Sequence, residues 1–305
     1  GMYATLYSFP SILKRNAMKG SVIPTYSGLP TILKEQGYRT MFFMTHESQY
    51  DNMNAFFRTN GFDEIFSQEN YPSEKVVNGF GVQDDFLYDY ALNHLKKQSA
   101  QTSPFFAVLL SISNHPPYVI PSYFQPKSKN IEEQIVEYAD WSIRQFIHKA
   151  SQQPWFDNTI FLITADHCAS SAGRTEIPLH KYHIPALIFA PGFVAPQQIE
   201  GIVSQIDLMP TLLSLLDMDY DSHFYGRSIF DPDYVNRAFI ATYQDLGYLE
   251  GDTFTILSPV RRFEQYRVVP TEENPHHLEA MERKDAVQVD RAIGYYQTSC
   301  KWHKR

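Results

Sequence analysis

Cysteine is almost absent from this sequence. Two residues of 305, Cys168 and Cys300, cannot build a disulfide framework, and they form no Cys-x-x-Cys pair for a metal. No run of about eighteen apolar residues occurs, so nothing in these residues reads as a membrane-spanning helix. No block of Lys and Arg suits a phosphate backbone, and the net charge is −8, which argues against nucleic acid as a partner. The terminal cluster KWHKR is short and reads as a solvated tail. The opening GMYATLYSFPSILKR lacks the charged start and apolar stretch of a secretory leader. Internal repeats and low-complexity tracts are also lacking. The chain as given is expected to be soluble, and its abrupt start inside apparent structure predicts a fragment of a longer protein.

What is present describes a globular chain, 43% apolar and 20% charged, long enough for one large or two ordinary domains. Aromatics reach 15%, with 22 Phe and 20 Tyr, which suits concave surfaces tolerant of sugar or lipid. Strand-like and helix-like runs alternate. LPTILKEQGY predicts a helix capped by Gly37 and followed by a strand over 38–45. A helix is predicted over 84–97, from the spacing of Phe86, Leu87, Tyr90, Ala91 and Leu95. The continuous apolar run 104–113 predicts a strand covered on both faces. An amphipathic helix over 131–151 follows, acidic at its start and basic near its end. Strands over 159–165 and 184–190 and a helix over 205–218 complete a mainly parallel α/β sheet with helices on both faces. After about Gly226 the texture changes. RAFIATY, TFTILSP and QYRVVP read as close-set strands before a terminal helix, a small antiparallel subdomain. The expected division is a core over 1–230 and a C-terminal α+β subdomain over 231–305.

Ligands of open α/β sheets gather beyond the carboxyl ends of strands. Three polar groups of residues follow apolar runs here: His46, Glu47, Asp51 and Asn52; Asn114 and His115; and Asp166 with His167. Three such endings on one sheet edge converge on one site. In FLITADHCASS an apolar run stops at a carboxylate and an imidazole, both costly to bury unless something binds them. Adjacent Asp and His can ligate one ion where the strand has ended, although within a strand they would face apart. From spacing alone, metal binding stands level with the alternative of Asp166 capping the next segment and His167 bonding a loop. CASSAGR suits a loop around an anion, with Arg174 to balance charge. His180 and His183 precede another strand. One of them could bond a phosphoryl oxygen or protonate a leaving group, or the two could form a second metal site.

TIFLITADHCASSAG, then YHIPALIFAPG, then SQIDLMPTLLSLL with YGRSIF beyond, resemble the sulfatase-like branch of the alkaline phosphatase superfamily. The nearest likeness is to membrane-anchored phosphoglycerol and phosphoethanolamine transferases of the lipoteichoic acid synthase type, from the first residues to about Phe230. The resemblance implies an alkaline-phosphatase-like fold and a divalent metal, Mn or Zn with Ca or Mg as further options, held in part by Asp166 and His167. It implies that His115, in an Asn-His-Pro-Pro setting, and Asn114 bind the substrate phosphate or headgroup, and that His183 or His180 matches a further site histidine. A Thr nucleophile should sit shortly before Gly1-Met2-Tyr3, and an acidic metal ligand on a still earlier strand. Neither lies within 1–305, so the resemblance implies an N-terminally truncated catalytic core that is inactive by itself. Asp51 and Met53 stand where lipoteichoic acid synthases carry a Trp and an Arg.

The implied activity is metal-dependent transfer or hydrolysis of phosphate or sulfate esters, with phosphoglycerol or phosphoethanolamine passing to an envelope glycan or lipid. An arylsulfatase and a non-catalytic module that binds an envelope glycolipid are the alternatives. The implied location of the full-length form is the extracytoplasmic face of a bacterial inner membrane, reached only through N-terminal helices outside this sequence. Arg174 and Lys181 are expected to offset the anion's charge, and His115 and His167 to line a single cleft.

Overall fold

The structure is a computed structural model that describes residues 1–13, 16, 18–19, 22–169 and 177–302. In chain order the helices are α1 (Met2–Tyr7), α2 (Leu29–Glu35), α3 (Met53–Thr59), α4 (Asp84–Gln98), α5 (Ile131–Ala150), α6 (Gln205–Leu215) and α7 (Ala286–Trp302). The strands are β1 (Arg39–Met44), β2 (Glu64–Phe66), β3 (Val76–Asn78), β4 (Gly81–Val82), β5 (Phe105–Leu110), β6 (Phe161–Thr164), β7 (Ala186–Phe189), β8 (Arg237–Ala241), β9 (Leu246–Glu250), β10 (Thr253–Ser258), β11 (Arg262–Val268) and β12 (Leu278–Ala280). Two compact units result: Pro30–Leu162 with Ile188–Ala195, and Gly1–Leu29 with Ile163–Leu187 and Pro196–Arg305.

The first unit is organised by a parallel sheet in the order β2-β1-β5. β1 is central and buried from Thr40 to Met44, as an apolar strand paired on both sides requires. Gly37 ends the helix before it, at φ +85°, while the Tyr38 amide donates back to the Leu33 carbonyl at 2.9 Å. β5 departs from expectation. Its apolar run is half-buried throughout, because among the described strands it pairs with β1 alone and lies at a sheet edge. α4 packs against β1, β5 and α5. Its Leu87, Ala91 and Leu95, four apart on one helical face, enter a core with Met41, Phe43, Phe66, Tyr71 and Val82. α5 starts at Asn130, whose side chain accepts from the Glu132 amide at 3.0 Å, with Glu132 and Glu133 in its first turn and His148 and Lys149 in its last.

A hairpin of β3 and β4 is pressed against the end of β1. At Gly81, with φ +92°, an added Cβ would lie 1.8 Å from the Thr45 carbonyl oxygen, so only glycine allows the approach. That contact places Phe80 beside the segment that follows β1.

The second unit holds an antiparallel sheet in the order β12-β11-β10-β9-β8. Three of its strands match the expected runs; β9 and β12 were not foreseen. α7 docks on this sheet through Tyr296, whose hydroxyl reaches the carbonyls of Ile240 at 3.0 Å and Gly247 at 2.6 Å. α1 packs against α6, which opens with a capping box of Ser204 and Asp207. Asp207 is fully buried and faces Arg237 at 3.3 Å, itself 2% exposed. β6 and β7 pair as a separate two-stranded sheet. Among the described residues no helix is long and apolar enough to cross a membrane.

Candidate functional site

In the second unit the site begins where β6 ends. The strand stops at Thr164, so Asp166 and His167 lie in a bend and their side chains can turn to the same side. Asp166 Oδ2 and His167 Nε2 are 3.5 Å apart. Asp166 Oδ1 accepts from the His167 amide at 2.9 Å, which fixes the carboxylate over the bend. His167 Nδ1 lies 2.9 Å from the Cys168 carbonyl oxygen. A carbonyl can only accept, so Nδ1 carries a proton and Nε2 is the ring atom turned toward the carboxylate. Left as acceptors, the two atoms repel unless a cation, either a proton or a metal, lies with them. This is also the arrangement of a metal-ligating imidazole, which commonly gives its other ring proton to a carbonyl. The side chains are 49% and 56% exposed, however. The expectation that a ligand must compensate for their burial is therefore corrected: the demand comes from the facing lone pairs, and desolvation is partial.

The bend is tied to its surroundings from three directions. Gln205, the first residue of α6, donates its side-chain amide to the carbonyls of Ala165 at 3.1 Å and Asp166 at 2.9 Å. The Cys168 thiol donates to the His183 carbonyl at 3.4 Å, which brings the His183 segment alongside. The start of α1 abuts the same place, since a Cβ on Gly1 would lie 2.0 Å from the Asp166 carbonyl oxygen. Leu179 and Tyr182 pack into a core with Ile177, Ile240, Phe254 and Ile256. Their neighbours His180 and His183, three residues apart, are thereby turned outward and exposed. His183 Nδ1 lies 3.2 Å from His276 Nε2, a residue of the β11–β12 connection. Burial first, then the neighbouring His183 and His180, hold His276 below the ordinary imidazole value. Arg174 lies outside the described residues. Among the described residues no group of three or more His, Cys, Asp or Glu is arranged to hold a metal.

In the first unit the loop after β5 carries Asn114 and His115, both exposed. It is held from beneath. Asp84, at the start of α4 and 1% exposed, accepts from the amides of Ile112 at 2.9 Å and Ser113 at 3.0 Å. Ser113 donates its hydroxyl to the Gln83 side chain at 3.1 Å, and Gln83 donates to the Val119 carbonyl at 3.0 Å. Burial raises the Asp84 carboxyl above its ordinary value, against the opposing pull of those two amides. His115 Nδ1 gives its proton to the Pro116 carbonyl at 2.7 Å, so Nε2 is the ring atom left for a ligand.

The loop after β1 meets the same ledge. His46 is 1% exposed, its ring centre 4.6 Å from that of Tyr50. Tyr50 stands 6.3 Å from Phe80, and Phe80 stands 4.4 Å from His115. Asp51 and Asn52 follow at φ +51° and +61°, consecutive left-handed residues without glycine, a region that Asp and Asn enter more readily than other side chains. Two of the three polar endings read from the sequence thus meet through Phe80. Sequence reasoning missed Phe80, Asp84, Gln205 and His276. Asp84 looks like an ordinary helix-dipole acid, whereas the adjacent His276-His277 pair was a visible signal that went unread.

The sulfatase family model matches residues 1–218. Phosphoglycerol transferase I of Xanthomonas axonopodis pv. citri is 26% identical over 240 residues, covering 75% of this chain and 34% of that protein. Lipoteichoic acid synthase of Staphylococcus aureus is 25% identical over 233 residues, 68% of this chain and 35% of that protein. The chain spans about a third of the length of these relatives. A solved alkaline phosphatase superfamily protein from Vibrio parahaemolyticus superposes with a TM-score of 0.91 at 31% identity, over 99% of this chain and 74% of that one. A lipoteichoic acid synthase from Listeria monocytogenes shares the fold at a TM-score of 0.81 and 23% identity, over 100% of this chain and 79% of that one.

Proposed function

Since this chain belongs to the sulfatase family, enzymes within the alkaline phosphatase superfamily, we propose that it is part of a metal-dependent enzyme acting on phosphate or sulfate esters. Within that class we favour phosphoglycerol or phosphoethanolamine transfer to an envelope glycan or lipid, on the extracytoplasmic face of a bacterial membrane. The names of the phosphoglycerol transferase and lipoteichoic acid synthase relatives support the finer reading. The observation that carries the coarser one is the approach of Asp166 Oδ2 and His167 Nε2 to 3.5 Å at the end of a strand.

Asp166 and His167 would hold the cation, and one oxygen and one nitrogen ligand suit Mn²⁺ or Zn²⁺. When bound, the ion lowers the pKa of a hydroxyl nucleophile and balances charge on the ester oxygens. The remaining work falls to residues of this chain. His115 and Asn114 bind non-bridging oxygens of the ester, His115 through Nε2. His183, with His180 as its alternate, donates a proton to the departing oxygen. Arg174 offsets the anion's charge. The transfer we favour would use a Thr nucleophile, as the phosphoglycerol transferase and lipoteichoic acid synthase likeness implies. We do not assign that role to Thr5, whose hydroxyl lies 3.5 Å from the Gly1 carbonyl of its own helix. We retain 1–230 as the family core and 231–305 as an appended subdomain, supported by the family match ending at 218 and the antiparallel sheet beginning at Arg237.

The test is Mn²⁺ titration of this protein followed by electron paramagnetic resonance. Saturable binding lost in both Asp166→Ala and His167→Ala is the expected result. Binding indifferent to both substitutions would overturn the assignment.

A further inference from the structure

We propose that His276 is the positioning residue of His183, accepting the His183 Nδ1 proton so that Nε2 is the atom His183 turns toward the ester. The role of His183 toward an ester rests on the function proposed above; the pairing of the two imidazoles does not.

The pairing is built from both sides. His183 Nδ1 and His276 Nε2 are 3.2 Å apart, with the rings edge to face at 77°. At that distance the two nitrogens share one proton, so one ring donates and the other accepts. Each histidine is anchored close by in one apolar cluster, His183 through Tyr182 and His276 through Leu278. Between His276 and Leu278 the chain is pinned by the Val269 amide, which donates to the His277 carbonyl at 2.9 Å, and on the other side the His276 amide donates to Asn274 Oδ1 at 2.9 Å. The separation is therefore set by a packed core and a strand pairing. Among the described residues, the titratable groups facing the pair are His180, which bears on His276, and Cys168, whose thiol reaches the His183 carbonyl.

The direction of the proton follows from which ring resists charge. His276 is the more enclosed of the two, and two imidazoles oppose its protonation. It serves as the neutral acceptor. His183 then carries Nδ1–H in its neutral form, and in its cationic form it keeps that bond while Nε2–H projects away from the pair. A group so arranged can give the Nε2 proton to a departing oxygen, and its Nδ1 proton stays committed to His276 throughout. This matches the logic by which a fixed acceptor behind an imidazole sets its tautomer and aim.

Long-range ¹⁵N–¹H spectra of the ring nitrogens, recorded on this protein without added metal, test the pairing. In the parent, His183 is expected as the Nδ1–H tautomer. In His276→Ala it should revert to the Nε2–H form that an unrestrained imidazole favours, and in His276→Asn, which keeps an acceptor, the Nδ1–H form should persist in part. An unchanged urea-unfolding midpoint shows that each variant is folded. A parent His183 in the Nε2–H form, or a His183 tautomer unmoved by His276→Ala, overturns the pairing. Loss of Mn²⁺ binding at Asp166–His167 has no bearing on these signals, so failure of the functional reading and failure of the pairing are separately visible.

Discussion

Two loops, one in each unit, carry candidate residues, and they are held in opposite ways. The His115 loop rests on a buried carboxylate, Asp84, which satisfies two of its backbone amides and has no ion pair among the described residues. The Asp166–His167 bend is half-exposed, its carboxylate and imidazole facing each other. One loop is anchored through its backbone amides by a buried acid; the other carries its acid at the surface, 3.5 Å from an imidazole. The contrast is sharpened by a second buried carboxylate. Asp207 holds the Arg227 amide at 2.9 Å much as Asp84 holds Ser113, and burial raises it too, but Arg237 stands opposite. Among the described residues a buried acid anchors amides at both places, at Asp207 with a counter-charge and at Asp84, beneath the His115 loop, without a described one.

The contrast can be broken most severely at Asp207. Arg237→Met leaves a buried carboxylate without its partner, and a loss of about 4 kcal/mol in urea unfolding is expected. Asp84→Ala strips two buried amides of their acceptor and is expected to lose about 2–3 kcal/mol, with Asp84→Asn losing less because one acceptor remains. The pH dependence has a definite sign. The Asp84 carboxyl is raised from 3.8 on folding, so its contribution is fully present below 3.8 and is lost as pH rises through the raised value. Asp84→Asn should flatten that slope, and an unaltered slope would show that the carboxyl is not raised. At the other loop, Asp166→Ala should weaken Mn²⁺ by at least about tenfold while leaving the unfolding midpoint within about 0.5 kcal/mol of the parent, since its side chain is half in water. Phe80→Ala, on the aromatic ledge, is the mildest change, about 0.5–1.5 kcal/mol, read as a small shift in midpoint.

Elements whose residues repeat with the right period were legible in the sequence. β1, α4, α5 and α7 lie where their patterns predicted, because each buries a face whose spacing is local information. β9 was not legible: LGYLE is short and carries Gly247, whose missing side chain gives Phe254 its room, a reason visible only across the sheet. The cover expected over β5 failed for a similar reason, since an apolar run does not say how many neighbours a strand has. At the site, the Asp166–His167 pair was readable because its two residues are adjacent and the strand stops just before them. His183 could be named as a candidate but not its partner, which lies 93 residues away. Asp84 was hidden by an ordinary explanation, an acidic residue in the first turn of a helix.

Cys168 gives the bend a practical value for spectroscopy. It follows His167 directly, and the only other cysteine, Cys300, lies far along the sequence in α7. Replacing Cys300 with Ala would leave one thiol at which to attach a fluorinated or nitroxide reporter. Burial raises that thiol's pKa, so alkaline conditions and a small reagent suit the labelling. A reporter so placed sits one peptide bond from the imidazole that faces Asp166, and its signal would register occupancy of the bend without any turnover of substrate.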